Sequence, residues 1–232
     1  MVDVIKAILF EPVGCLAEFR GEEFNRAAAD LFGASQEPAA TGSQAYWRLL
    51  GLMEQRQDAI TIEGSVRLLE IELRAVVQAE LYEDVRPSLE ELKALGVAAY
   101  LASSLSRQAV AHFLERHGLA DLFAGRFTRT EAAGVMAKPL RCAIDRTGLD
   151  PGRVMVLADT AEGLDLSKQL GLSAMLMIND YDEGRALAER NPAGGIVSLA
   201  ELAPALRLIE QRSGIRAPSR PPLAPFELFD PG

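Results

Sequence analysis

From residue 86 to residue 212 the sequence repeats one arrangement: a short apolar run of strand length, a polar turn, then a stretch with helical apolar spacing. The strand-like runs are VAAYLAS (97–103), GRFTR (125–129), RVMVLA (153–158), SAMLMI (173–178) and GIVS (195–198). The helical stretches are RPSLEELKALG (86–96), SRQAVAHFLERHG (106–118), LRCAIDRTG (140–148), TAEGLDLSKQLG (160–171) and LAELAPALRLIEQR (199–212). Pro87 falls in the first turn of its helix and Gly96 at the end, where each is tolerated best. Continuous apolar runs belong to strands buried on both faces. Their alternation with helices selects a parallel sheet covered on both sides. The expected fold is therefore α/β, with a Rossmann-like three-layer parallel sheet core.

One further strand, VIKAILF (4–10), stands apart from the others. Between it and residue 83 lie GEEFNRAAADLFG (21–33), SQAYWRLLGLMEQ (43–55) and IEGSVRLLEIELRAVVQAEL (62–81), all with helical spacing and with Gly33 and Gly42 as breaks. No strand pattern interrupts them, so the segment reads as a helical insertion. The expected organisation is a core from residues 1–16 and 83–212, an inserted helical cap over 17–82, and a proline-rich tail over 213–232.

Composition narrows the partners. The net charge of −9 with scattered basic residues excludes a nucleic-acid or anionic-membrane surface. The two cysteines, Cys15 and Cys142, have neither metal-site spacing nor a disulfide framework, which suits a reducing compartment. No apolar run is long enough to span a bilayer and no signal-peptide pattern opens the chain, so a cytoplasmic location is expected.

In open parallel sheets, ligands bind beyond the carboxyl ends of the strands. The residues there are Glu11, Ser103, the loop before the helix at 140, and Asp159. The segments ILFEPVGCL, AYLASSLSR, MAKPLRCAIDRTGLDPGRV and MVLADTAEGLDLSKQLGL carry these positions. In order and spacing they resemble the four motifs of the haloacid dehalogenase superfamily, in the phosphatase and β-phosphoglucomutase type with a helical cap after the first motif. The likeness runs roughly from residue 4 to residue 200.

The resemblance implies roles residue by residue. Glu11 stands where the family has its nucleophilic aspartate, one methylene further out. Ser103 matches the hydroxyl that binds the transferred group, and Lys138 matches the charge-neutralising cation. The implied metal positions are Glu11, Val13 and Asp159, with Mg²⁺ held weakly or not at all. Val13 replaces an acid that transfers protons in the phosphatase branches, and Pro12 brings no N–H to a phosphate-binding loop. Cys15 replaces a threonine and reads as a packing residue. Ala158 and Gly163 stand where branches of the family place a further acid. Tyr46 and Trp47 could line a pocket over the site, with packing inside the cap as the simpler reading. The resulting expectation is a dehalogenase-like fold with a degraded phosphatase site, acting in binding or regulation of a small phosphorylated molecule or a protein partner. The alternatives are a divergent Mg²⁺-dependent phosphomonoesterase using Glu11, and a metal-independent dehalogenase-like hydrolase.

Overall fold

The computed structural model describes residues 5–33, 38–56 and 61–214. The AILF run forms β1 (Ala7–Phe10), buried along its whole length. The chain leaves it through a kinked single turn, α1 (Pro12–Cys15), and a two-residue strand, β2 (Ala17–Glu18). Three helices follow, α2 (Gly21–Phe32), α3 (Gly42–Gln55) and α4 (Ile62–Gln78). The strand β3 (Glu80–Leu81) then pairs antiparallel with β2 and closes the excursion. The remainder runs α5 (Val85–Ala94), β4 (Ala98–Ser103), α6 (Arg107–His117), β5 (Gly125–Thr128), α7 (Arg129–Ala132), α8 (Ala137–Thr147) and β6 (Val154–Ala158). It finishes with α9 (Ala161–Gln169), β7 (Ser173–Met177), α10 (Tyr181–Ala188), β8 (Gly194–Ile196) and α11 (Leu202–Gly214).

The large sheet has the order β5-β4-β1-β6-β7-β8, and every pair in it is parallel. This is the α/β, Rossmann-like architecture read from the alternation. Side chains alternate across it with period two. Ile8, Phe10, Met155 and Leu157 point into the core shared with the inserted helices, α5, α6 and α11. Ala7, Leu9, Val154, Val156 and Ala158 point into a second core with Leu140, Leu164 and Leu187 of α8, α9 and α10. Phe10 lies opposite Leu101 on one side and Leu157 on the other, so β4, β1 and β6 end along one edge. Glu11 and Asp159 follow directly at that edge.

Two contacts seat the insertion on the sheet. Phe113 of α6 stacks on Phe19 at 5.9 Å between ring centroids, Phe19 stacks on Phe24 of α2 at 6.1 Å, and Phe24 meets Tyr46 of α3 at 5.0 Å with the rings tilted by 48°. All four rings are buried, so this column carries both apolar burial and ring–ring attraction from core to insertion. Beside it Glu72 of α4 meets Arg129 of α7 at 2.7 Å and accepts from the Ser106 N–H at 3.2 Å. Burial raises the Glu72 carboxyl above its usual range although Arg129 opposes the shift.

The structure departs from the pattern reading in two places. Residues 80–81 were expected to continue a helix but form β3, because pairing with β2 closes the insertion and a two-residue strand leaves no periodicity. Helix α10 had no sequence signal: only Gly184 and Leu187 of it are buried, too narrow an apolar stripe. Its start is set by Asp180, whose side chain accepts from the Glu183 N–H at 2.9 Å. The proline-rich tail expected over 213–232 lies, from residue 215 on, outside the described residues. Among the described residues no helix is long and apolar enough to cross a membrane. Truncating the middle of the aromatic column with Phe24→Ala is expected to cost about 3–5 kcal/mol, read as a lowered urea midpoint followed through Trp47 fluorescence.

Candidate functional site

Glu11 is the first residue past β1 and turns into the α1 kink with extended backbone. Its carboxylate is ringed by neutral donors. Oε1 accepts from the Ser103 hydroxyl at 2.6 Å, and Oε2 accepts from the Ser104 N–H at 3.2 Å and the Tyr46 hydroxyl at 3.3 Å. The Val13 N–H donates to it as well. Burial outweighs all four and pushes the Glu11 carboxyl up to about 8.

Asp159 ends the neighbouring strand β6 and is 8% exposed. Its Oδ2 accepts from the Ser43 hydroxyl at 2.5 Å and from the Asn179 side-chain amide at 3.3 Å. Burial is again the largest influence and raises it to about 6, with Ser43 opposing and the Glu183 carboxylate adding to the rise. Gly14 makes this approach feasible. Its φ of 77° is a left-handed conformation that favours glycine, and a Cβ there would overlap both Asp159 Oδ2 and Ser43 Oγ. The Gly14 carbonyl accepts from Asn179 at 2.9 Å, which ties the kinked turn to the loop after β7.

The other expected residues are placed as follows. Ser103 is fully buried at the end of β4, donates to Glu11 and also accepts from the Leu105 N–H at 3.1 Å. Lys138, in the first turn of α8, lays its side chain over Gly134 in the preceding loop. Val13, implied as a metal position by the resemblance, is 1% exposed with its side chain in the core, and its N–H faces Glu11. An apolar side chain at a kinked turn gains more from the core than from the polar edge. Cys15 is a buried packing residue whose thiol donates to the Leu157 carbonyl at 3.3 Å. Burial, then Asp159 and Glu11, push that thiol well above its usual range, so it is not nucleophilic. Ala158 faces the second core.

Three site residues lay outside the motif reading: Ser43, Asn179 and Gly14 in its close-approach role. TGS at 41–43 carries the signal of a helix start, and Thr41 does cap α3, accepting from Gln44 N–H at 3.2 Å. Nothing in that signal marks the next hydroxyl as a partner for Asp159, 116 residues away. Tyr46 packs its ring in the insertion core, and its hydroxyl donates to Glu11.

Two spaces meet at Asp159. A small pocket of about 30 Å³ is lined by Glu11, Trp47, Ser104, Met136 and Thr160. A larger cavity of about 530 Å³ lies on the other side of Asp159, walled by Gly14, Arg20, Ser43, Tyr82 and Asn179. Glu18, Glu22, Asp180 and Glu183 also line it and make it acidic.

The raised acids have a consequence for stability. A buried carboxyl whose folded value lies above its unfolded value keeps its proton longer in the folded state, so stability falls as pH rises between the two. For Glu11 that window runs from 4.5 to about 8. In metal-free buffer the protein is expected to lose stability steadily across it, and Glu11→Gln to flatten the slope, as measured by urea midpoints against pH.

Comparison with known proteins agrees with this layout. The family model for haloacid dehalogenase-like hydrolases matches residues 6–171. Among curated proteins, enolase-phosphatase E1 of Enterobacter sp. is 29% identical over 108 residues, covering 45% of this chain and 47% of that protein. Enolase-phosphatase E1 of Sorangium cellulosum is 27% identical over 180 residues, covering 73% and 77%. Phosphoglycolate phosphatase of Pseudomonas savastanoi pv. phaseolicola is 29% identical over 147 residues, covering 59% and 52%. The chain spans about half the length of several of the curated relatives it matches. Among solved structures, a haloacid dehalogenase-like family hydrolase from Streptococcus pneumoniae superposes with a TM-score of 0.65 at 14% identity, covering 87% of this chain and 98% of that one. A protein titled HAD phosphatase from Thermococcus onnurineus gives a TM-score of 0.59 at 22% identity, covering 87% and 98%. With the family model matching well over half of its residues on a sheet of the same kind, the chain belongs to the haloacid dehalogenase-like hydrolases.

Proposed function

We propose that the chain is a divergent phosphomonoester hydrolase in which Glu11 takes the place of the nucleophile. One observation carries this reading: the Glu11 carboxylate stands at the central strand end, 2.6 Å from the Ser103 hydroxyl, with Asp159 at the end of the adjacent strand. The three curated relatives compared above are named as phosphatases, which supports the same reaction class.

The donor set fits a divalent cation of the Mg²⁺ kind. Glu11 and Asp159 are two buried carboxyl groups at adjacent strand ends, each raised chiefly by loss of water around it. One or two carboxylates plus water and phosphate oxygens are what Mg²⁺ ordinarily takes. Val13 offers no side-chain oxygen, and among the described residues no group of three His, Cys, Asp or Glu assembles. When bound, the cation supplies charge neutralisation that favours ionised Glu11 and draws in a phosphate ester. The acidic 530 Å³ cavity supports delivery of a cation to Asp159.

Once ionised, a Glu11 oxygen attacks phosphorus in line while the bond to the leaving oxygen breaks, and the leaving group departs with the electron pair. Ser103 donates to the transferred group, and Lys138, in the first turn of α8, supplies the positive charge to neutralise it. Val13 has no proton to give. Esters of acidic alcohols, such as aryl phosphates, are therefore expected to react faster than alkyl phosphates. Water then cleaves the acyl phosphate on Glu11.

A second reading is binding without turnover, with the phosphatase site degraded. It is favoured by the 30 Å³ pocket at Glu11 and by the Val13 and Ser104 amides being engaged with Glu11 itself. Hydrolysis of p-nitrophenyl phosphate with and without Mg²⁺ separates the two. Mg²⁺-dependent turnover that falls at least about a hundredfold in Glu11→Ala supports the hydrolase, and phosphate binding with no turnover supports the second. The variant Glu11→Asp is expected to raise turnover by about 10²-fold, through shorter reach.

A further inference from the structure

Helix α4 is apolar on two sides. Leu68, Ile71, Ala75 and Val76 face the core that the insertion shares with the sheet. On another side Ile62, Val66, Leu69 and Leu73 follow one another, and Val77 extends the row by one more turn. The first four are separated by steps of four, three and four residues, the spacing of a seam between two packed helices. None of the five belongs to either core. Ile62 is 88% exposed, Val66 54% and Val77 47%, and Leu69 and Leu73 are partly exposed. A helix with apolar rows on two sides gains from a cover on both.

The outer row is self-complementary. Steps of four, three and four read the same in both directions, so in an antiparallel pair Ile62 of one copy falls opposite Leu73 of the other, and Val66 opposite Leu69. The charges on one flank fit the same register. Glu63, Arg67, Glu70 and Arg74 alternate in sign beside the row. Across the pair, Glu63 comes within two residues of Arg74 and Arg67 within two of Glu70, an axial offset of about 3 Å. A parallel pair puts the two charged flanks on opposite sides of the contact and makes none of these matches. Arg67 and Arg74 already meet Asp30 and Glu23 of α2, with side chains still 53% and 46% exposed. The two Arg67 side chains come together at the axis, where Asp30 of the same copy offsets their charge.

We propose that the outer face of α4 is a homodimer surface: two copies of this chain pack their Ile62–Val66–Leu69–Leu73 rows antiparallel about a two-fold axis level with Arg67, and the Glu63–Arg74 and Arg67–Glu70 pairs fix the direction. A two-fold contact uses one patch twice, which the symmetric spacing allows. Charge pairs at the rim set orientation more than strength. One helix pair is a small interface, so association occurs at chain concentrations on the order of tens of micromolar. The dimer does not depend on whether Glu11 turns over a substrate.

Sedimentation equilibrium of the full chain tests the dimer. From about 1 to about 200 µM, a range that brackets such an affinity, the mass is expected to climb from 25.1 kDa toward twice that value. Val66→Lys with Leu73→Lys places charge in the seam and is expected to weaken association about tenfold or more. The urea midpoint of the chain is expected to stay unchanged, because neither side chain is in a core. Direction is read without added charge by Ile62→Cys and Leu73→Cys chains, both in a Cys142→Ser background. Mixed and mildly oxidised, they are expected to form a disulfide between unlike chains, while each alone does not, its two cysteines lying about 16 Å apart along the pair. A mass of 25.1 kDa at every concentration overturns the proposal, as does association that the lysine pair leaves intact. Cross-linking of Ile62→Cys with itself overturns the antiparallel register.

Discussion

Two carboxylates placed side by side at the ends of adjacent buried strands set the terms for everything around them. A charge taken out of water is costly unless paired or hydrogen-bonded, and neither Glu11 nor Asp159 has an ionic partner among its hydrogen-bond donors here. Their needs are met by hydroxyls and amides from four directions: the end of β4, the loop after β7, the α1 kink and the inserted helix α3. Neutral donors satisfy geometry without supplying charge, so burial still dominates and both acids are raised. The same imbalance that leaves them raised is what a divalent cation would correct.

This demand explains the insertion's role. An aromatic column and a buried ion pair seat α2, α3 and α4 on the core face of the sheet, and that seating brings Ser43 and Tyr46 over the acids. The ion pair adds precision more than stability, since burying Glu72 offsets much of what Arg129 returns. Arg129 also donates to the Ser104 carbonyl at 3.2 Å, next to the amide that meets Glu11. The insertion and the serine loop are therefore positioned together.

The departures from the usual chemistry of the family are coherent in physical terms. With valine at 13 the α1 kink can be buried in the core, and with proline at 12 its entry is rigid. Glutamate at 11 extends far enough to reach Ser103, Ser104 and Tyr46 at once. A loop that elsewhere offers its amides to phosphate here gives Val13 N–H to its own carboxylate.

The sheet, its parallel strands, the helical insertion and the edge carrying Glu11, Ser103 and Asp159 were legible in the sequence, because each rests on local periodicity and on which residue ends a strand. The β2–β3 ribbon and α10 were not, since two-residue pairing and a two-residue buried stripe leave no periodic trace. Ser43, Asn179 and the close approach at Gly14 became visible only in three dimensions. Their partners lie 20 to 165 residues away in the chain, and a hydroxyl at a helix start looks the same whether it faces water or a buried acid. Sequence by itself determined which polar residues follow the strand ends. Tertiary structure decided that those groups are desolvated, held by neutral donors and covered by α3, because burial and long-range hydrogen bonding are properties of packing and not of local pattern.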